Sequence, residues 1–121
     1  MKKFIVIYHA SNDAAKKMGS STPEEMKKGM EPWMAWAKRC GSGLVDMGMP
    51  LGSGRKVMKD GVAAGDATVV GYSMLQAEDM DGAVAMLTGH PHIEWAEGCT
   101  IEVHEARAAL VVMDELARVL F

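Results

Sequence analysis

Apolar residues along this chain alternate between two spacings, and the changes of spacing mark its elements. Phe4-Ile5-Val6-Ile7-Tyr8 is short, β-branched and aromatic, the composition of a buried strand. Residues 10–21 are small and polar and read as a loop. Thr22-Pro23-Glu24-Glu25 then announces a helix. Thr22 caps it, Pro23 suits its first turn, and Glu25 stands three residues after the cap, where its carboxylate reaches back to the Thr22 N–H. Glu24 and Glu25 also complement the positive end of the helix dipole. Met26, Met30, Trp33, Ala37 and Cys40 follow at spacings of 4, 3, 4 and 3, one face of an amphipathic helix that Gly41 and Gly43 end. Pro32 lies inside it, removes one backbone hydrogen bond and predicts a kink near Lys28 or Gly29.

Residues 44–49 read as a second short strand and residues 50–54 as a flexible turn. Arg55-Lys56-Val57-Met58 followed by Asp60-Gly61 predicts a polar strand and a tight turn, a minor hairpin arm. Residues 68–76 (TVVGYSMLQ) form the strongest strand after the first. Met80, Ala83, Val84 and Leu87 fit a shorter helix ended by Thr88-Gly89, and residues 90–98 read as a loop. From Cys99 to Glu105 the pattern alternates, with Ile101 and Val103 on one side and Thr100, Glu102 and His104 on the other, a half-buried strand. After Ala106, Leu110, Met113, Ala117 and Leu120 recur at spacings of 3, 4 and 3 and predict a terminal helix. The order is α+β, a split β-α-β-β-α-β or ferredoxin-like domain over residues 1–106 with a helical extension over 107–121.

Composition narrows the function classes. At 121 residues, 49% of them hydrophobic, the chain has the size of one domain and enough apolar surface for its own core. The formal charge of −3 and the scattered lysine pairs give no basic footprint for nucleic acid. No apolar run approaches the ~20 residues of a membrane span, and the opening Met1-Lys2-Lys3 leads into a strand rather than a secretion signal. The expected compartment is the cytoplasm. Cys40 and Cys99 form no CxxC and read as two reduced thiols. The twelve methionines read as core or interface packing, and Trp33, Trp36 and Trp95 as packing anchors. No CxxCH or phosphate-cradling glycine loop occurs, so no cofactor is expected.

Phe4-Ile5-Val6-Ile7-Tyr8, Thr22-Pro23-Glu24-Glu25-Met26, Val70-Gly71-Tyr72-Ser73-Met74, and His90-Pro91 through Thr100-Ile101-Glu102-Val103 resemble the YCII-related family, most of all its branch with a DGPF motif. The resemblance covers about residues 2–106. It implies a homodimeric α+β barrel in which the open faces of two ferredoxin-like sheets close on each other, a fold shared with muconolactone isomerases, small monooxygenases and chlorite-dismutase-type proteins. Some members have a His–Asp pair proposed as an acid–base site, with the histidine on the first helix. Here that helix carries Trp33 and Trp36 and no histidine, and Asp60-Gly61-Val62-Ala63 and Gly65-Asp66-Ala67 stand near where the motif would fall. The chemistry is therefore read from this chain's own residues.

Two groupings can carry chemistry. In a ferredoxin-like sheet the end of the first strand lies near the start of the last. His9 and Asp13 follow the first strand, and His90 and His92 precede the last. Three imidazoles and a carboxylate at one sheet end can exchange protons near neutral pH. They can also ligate a divalent ion, with Asp13 or Glu94 as a further ligand, but Pro91 is expected to point the rings of His90 and His92 apart, and no metal is assigned. The second grouping is the open sheet face, where Glu102 and His104 would join Tyr8 and Tyr72. The expected catalytic residues are His9, Asp13 and His104, and the ligand-binding residues Tyr8, Tyr72, His90, His92 and Glu102. Together they point to a homodimer that holds a small organic metabolite in a barrel cavity and moves protons without a cofactor, as an isomerase does. The alternatives are a non-catalytic dimerisation or ligand-sensing module and, by analogy of fold, a cofactor-free monooxygenase.

Overall fold

The computed structural model describes residues 1–107. The helix expected beyond that point lies outside the described residues. In chain order the elements are β1 (Lys2–His9), α1 (Asn12–Gly19), α2 (Pro23–Cys40), a 3₁₀ turn (Gly41–Gly43), β2 (Leu44–Asp46), β3 (Arg55–Met58), β4 (Gly61–Ala64), β5 (Val69–Ala77), α3 (Met80–Leu87), α4 (Pro91–Trp95) and β6 (Thr100–Ala106). A four-stranded sheet runs in the order β2-β5-β1-β6, antiparallel at every junction. This architecture is α+β and compatible with a ferredoxin-like fold.

Alternation along the central strands decides what is buried. Phe4, Val6 and Tyr8 of β1 and Ser73, Leu75 and Ala77 of β5 point under the helices and are buried. Trp36 of α2 and Ala83 and Leu87 of α3 complete that core. Trp36 also donates its indole N–H to the Met86 carbonyl at 2.8 Å, which ties α2 to α3. The opposite face of the sheet, with Ile5, Ile7, Tyr72 and Met74, has no layer on it among the described residues and is only half-buried. No helix among the described residues is long and apolar enough to cross a membrane.

The capping box at Thr22 and Glu25 forms as its spacing predicts, with the Glu25 N–H donating to the Thr22 hydroxyl at 3.2 Å. Helix α2 continues through Pro32 to Cys40 as one element. Two expectations are corrected. Residues 10–21 are not all loop, because Ser11 caps Asn12–Gly19 and Ala14 packs with Ala10 and Cys99. Residues 90–98 are not all loop either, because His90 caps the short helix α4 with its own ring. The methionines of α2 stand outside the core of the single chain: Met26, Met30 and Met34 are 60%, 47% and 59% exposed. Met26 and Met30 do lie on the apolar face, but the first half of α2 overhangs the sheet, and only the face from Trp33 onward meets the core. The expected hairpin arm is present as β3 and β4, exposed along its whole length.

After β2 the chain stays against β5. The Leu51 N–H donates to the Val70 carbonyl at 3.0 Å, and Pro50 bridges to Gly71. Gly48 makes this close passage possible. It has φ of +80°, and a β-carbon there would stand 1.7 Å from the Tyr72 carbonyl oxygen. Gly48→Ala therefore meets both a left-handed backbone and a backbone clash, and should cost about 2 kcal/mol or more. Gly52→Ala, with open space around it, should cost little. Urea unfolding of both variants checks this, and an unchanged midpoint for Gly48→Ala would contradict it.

Candidate functional site

Tyr8 and His9 are neighbours in β1, so their side chains leave the strand on opposite faces. Each starts a different polar network. Tyr8 lies under the helices with its ring edge-on to Trp33, centroids 5.0 Å apart. Its hydroxyl is 2.7 Å from the Ser73 hydroxyl and 3.3 Å from Nε2 of His90. The His92 N–H donates to Nδ1 of His90 at 2.9 Å, so the hydrogen of a neutral His90 sits on Nε2. Ser73 donates to the Met47 carbonyl at 2.7 Å. The hydrogens therefore run one way: His90 Nε2–H to Tyr8, Tyr8 O–H to Ser73, Ser73 O–H to the Met47 carbonyl. Trp33 and Trp36 close over His90 at centroid distances of 4.5 and 4.3 Å.

This cluster is sealed. Tyr8, Ser73, His90 and His92 are each at most 3% exposed, and no buried polar side-chain atom among the described residues lacks a partner. Burial pushes the Tyr8 hydroxyl up to about 12, against the opposing effect of its bond to Ser73. Burial also drives His90 down to about 4, helped by neighbouring His92 and Arg39. His92 is held down mainly by burial, although its Nε2–H donates to the His9 carbonyl at 2.8 Å, which favours the charged form. A closed set of neutral, satisfied groups offers a substrate no entry.

The second network is open to solvent. On the uncovered face, rows of side chains run across the strands: Tyr72, Ile7 and Glu102 in one row, Met74, Ile5 and His104 in the next. His9 closes the end of this face. Its Nε2 is 2.8 Å from one oxygen of Glu102, whose other oxygen accepts from Nε2 of His104. Its Nδ1 is 2.7 Å from the Thr68 hydroxyl, which donates to Asp66 at 2.6 Å. A bulge in β5 helps to build this end. Tyr8 pairs with Gly71 but His9 pairs with Val69, so Thr68 is brought one position closer to His9. Glu102 is held below the usual carboxylate range by its hydrogen bonds to His104 and His9, and Asp66 by its bonds to Thr68. Beside them lies an open groove of about 350 Å³ lined by His9, Ala10, Ser11, Thr68, Gly98, Thr100 and Glu102.

The expected residues thus divide. His9, Glu102 and His104 come together, with Tyr72 on the same face in the row of Glu102. Tyr8 does not share that face, because strand parity turns it under the helices. His90 and His92 do reach the end of β1, but their rings stay on the buried side while the His9 ring is on the other. Pro91 does not splay them, since it begins α4 and both rings pack near Tyr8. Asp13 sits in the first turn of α1 beside Lys17 and Glu97 and makes no hydrogen bond to His9. The carboxylates serving His9 are Glu102 directly and Asp66 through Thr68. Asp66 was legible as the start of an Asx turn, Asp-Ala-Thr, just ahead of a strong strand. Among the described residues, no group of three or more His, Cys, Asp and Glu is arranged to hold a metal ion.

Compared with models of known families and with curated proteins, this chain matches none.

The buried histidine sets a pH dependence. His90 stays neutral in the folded chain down to about pH 4, whereas it would take a proton near 6.5 when unperturbed. Between these values the unfolded state binds more protons, so stability is full above about 6.5 and is lost as pH falls toward 4. A gap of that size corresponds to about 3 kcal/mol. The urea midpoint should therefore fall between pH 7 and 4, and fall less in His90→Asn, which keeps a cap acceptor but does not titrate. Equal losses in both proteins would place the acid sensitivity elsewhere.

Proposed function

We propose that this chain binds a small organic metabolite on the open face of its sheet and moves a proton there without a cofactor, with His9 and His104 as the proton-transfer groups and Glu102 between them. The observation that carries this reading is the shared carboxylate. One Glu102 side chain, half-exposed, accepts hydrogen bonds from two imidazoles on a face that no element among the described residues covers, and a groove opens beside it. Imidazole–carboxylate pairs of this kind exchange protons near neutral pH. Tyr72, half-buried across Ile7 from Glu102, is positioned to contact the ligand.

The working form is a homodimer. Half-buried Ile5, Ile7, Tyr72 and Met74 make an apolar band that a second sheet would cover, and closure would turn an open groove into an enclosed pocket. The resemblance to YCII-related proteins supports the same arrangement. In the competing reading Glu102 and His104 only pair with groups of the second copy and build an interface. Their exposure in the single chain is compatible with that role.

Sedimentation velocity and native mass spectrometry of the protein as purified test this reading. The wild type should sediment as a dimer and retain a small molecule. Glu102→Gln should keep the dimer and weaken retention about tenfold to a hundredfold, the usual range for one charged hydrogen bond. His104→Ala should do the same. Weaker association in either variant, with no retained molecule in the wild type, would favour the interface reading.

A further inference from the structure

The hydrogen-bond directions around His9 fix more than its position. A carboxylate can only accept, so the single hydrogen of the Thr68 hydroxyl goes to Asp66, at 2.6 Å. The Asp66 carboxylate is held in place by its own second bond, from the Thr68 backbone N–H at 2.9 Å. The Thr68 oxygen is then left with lone pairs toward Nδ1 of His9, 2.7 Å away. A lone pair on Nδ1 would face a lone pair on oxygen at that distance. Nδ1 must therefore carry the hydrogen.

We infer that Asp66 and Thr68 are positioning residues that lock His9 in its Nδ1–H form, so that Nε2, the nitrogen facing Glu102 and the groove, is the one that gains and loses the proton. The functional half of this inference rests on the reading of the open face given above; the tautomer itself does not. The hydroxyl serves as a spacer. A carboxylate two positions before Thr68 reaches an imidazole across the sheet, and both ends of that imidazole are occupied, Asp66 through Thr68 at Nδ1 and Glu102 at Nε2.

The consequence is a stored proton. With Nδ1 already bearing hydrogen, the 2.8 Å contact between Nε2 and Glu102 also needs one, either on the imidazole or on the carboxyl. The pair thus holds one exchangeable proton at the mouth of the groove. Delivery to a substrate atom breaks the N–H bond at Nε2 and leaves a neutral imidazole still hydrogen-bonded through Nδ1. Return of a proton restores the start, and no electrons change hands. Other charged groups bear on this pair. His104 shares Glu102, His92 bonds the His9 carbonyl, and Lys56 acts on Asp66. None of them contacts Nδ1.

The test is nitrogen NMR of the full chain labelled at histidine, with the His9 signals assigned by their loss in His9→Gln. In its neutral form the His9 ring should show hydrogen on Nδ1 and a bare Nε2. Thr68→Val removes the acceptor, and a neutral imidazole then reverts to a mixture rich in the Nε2–H form. Thr68→Ser should restore the wild-type pattern. Asp66→Ala should also release the lock, since nothing then accepts the hydroxyl hydrogen at that position and it can turn toward Nδ1. Asp66 and Thr68 are exposed, so these variants should fold, and the remaining amide spectrum checks that they do. A neutral wild-type ring with hydrogen on Nε2 overturns the inference, as does a Thr68→Val ring identical to wild type. If the lock is found but Glu102→Gln still retains the copurified molecule, the positioning stands and the proposed use of the face fails.

Discussion

A phenol buried at the centre of the sheet is the constraint from which much of this structure follows. Tyr8 brings its ring into the core for apolar contact, but its hydroxyl cannot be left there without partners, at a cost of a few kcal/mol. The chain meets that demand with two groups from distant parts of the sequence. Ser73 arrives because β5 pairs with β1, and His90 because α3 ends beside the sheet and turns back. Each brings more structure with it. Ser73 extends the chain of hydrogen bonds to the Met47 carbonyl, and so fastens the segment that leaves β2. His90 caps α4 and lies under Trp33 and Trp36, so α2 closes on the same point.

The buried network and the exposed one meet in the backbone of His9. His92, one residue into α4, donates to the His9 carbonyl, while the His9 side chain leaves on the other face toward Thr68 and Glu102. The end of β1 is held from below by an imidazole that burial pushes toward its neutral form and presents above a second imidazole between two carboxylates. Burial separates their behaviour. His90 and His92 are pushed toward the neutral form because water is excluded, whereas the carboxylates around His9 remain in solvent and are drawn toward the charged form by their hydrogen bonds.

Much of this architecture was readable in the residues. β1, the capping box at Thr22, the long strand ending in Ala77 and the alternating strand of Glu102 and His104 all have local causes, and local causes are legible. The pairing of Glu102 with His104 follows from period-two spacing on one strand. The position of Tyr8 was not recovered, because pairing two strands across 65 residues requires knowing their register and which face the helices take. Ser73 gave a faint signal, a hydroxyl in an apolar strand at the same parity as Leu75, which a search for buried partners would have noticed. Met26, Met30 and Met34 lie outside the single chain's core for a different reason. Periodicity gives the face of a helix, but it cannot say that half of the helix extends beyond the sheet.

The adjacency of Tyr8 and His9 also explains why the chemistry is stable in its place. A strand that slips by one residue exchanges its two faces. In β1 that slip would put the phenol on the open face and push the His9 imidazole under Trp33, where neither Ser73 nor His90 is set to receive it. The Tyr8 hydroxyl with its two partners therefore specifies register as well as filling the core. The bulge between Tyr8 and His9 confines its own irregularity to the last residue of the strand, where it serves the open face. Residues that never contact the groove thus decide which imidazole stands in it, and a defect in the Tyr8–Ser73–His90 chain would reach the exposed site through register before it reached it through any contact.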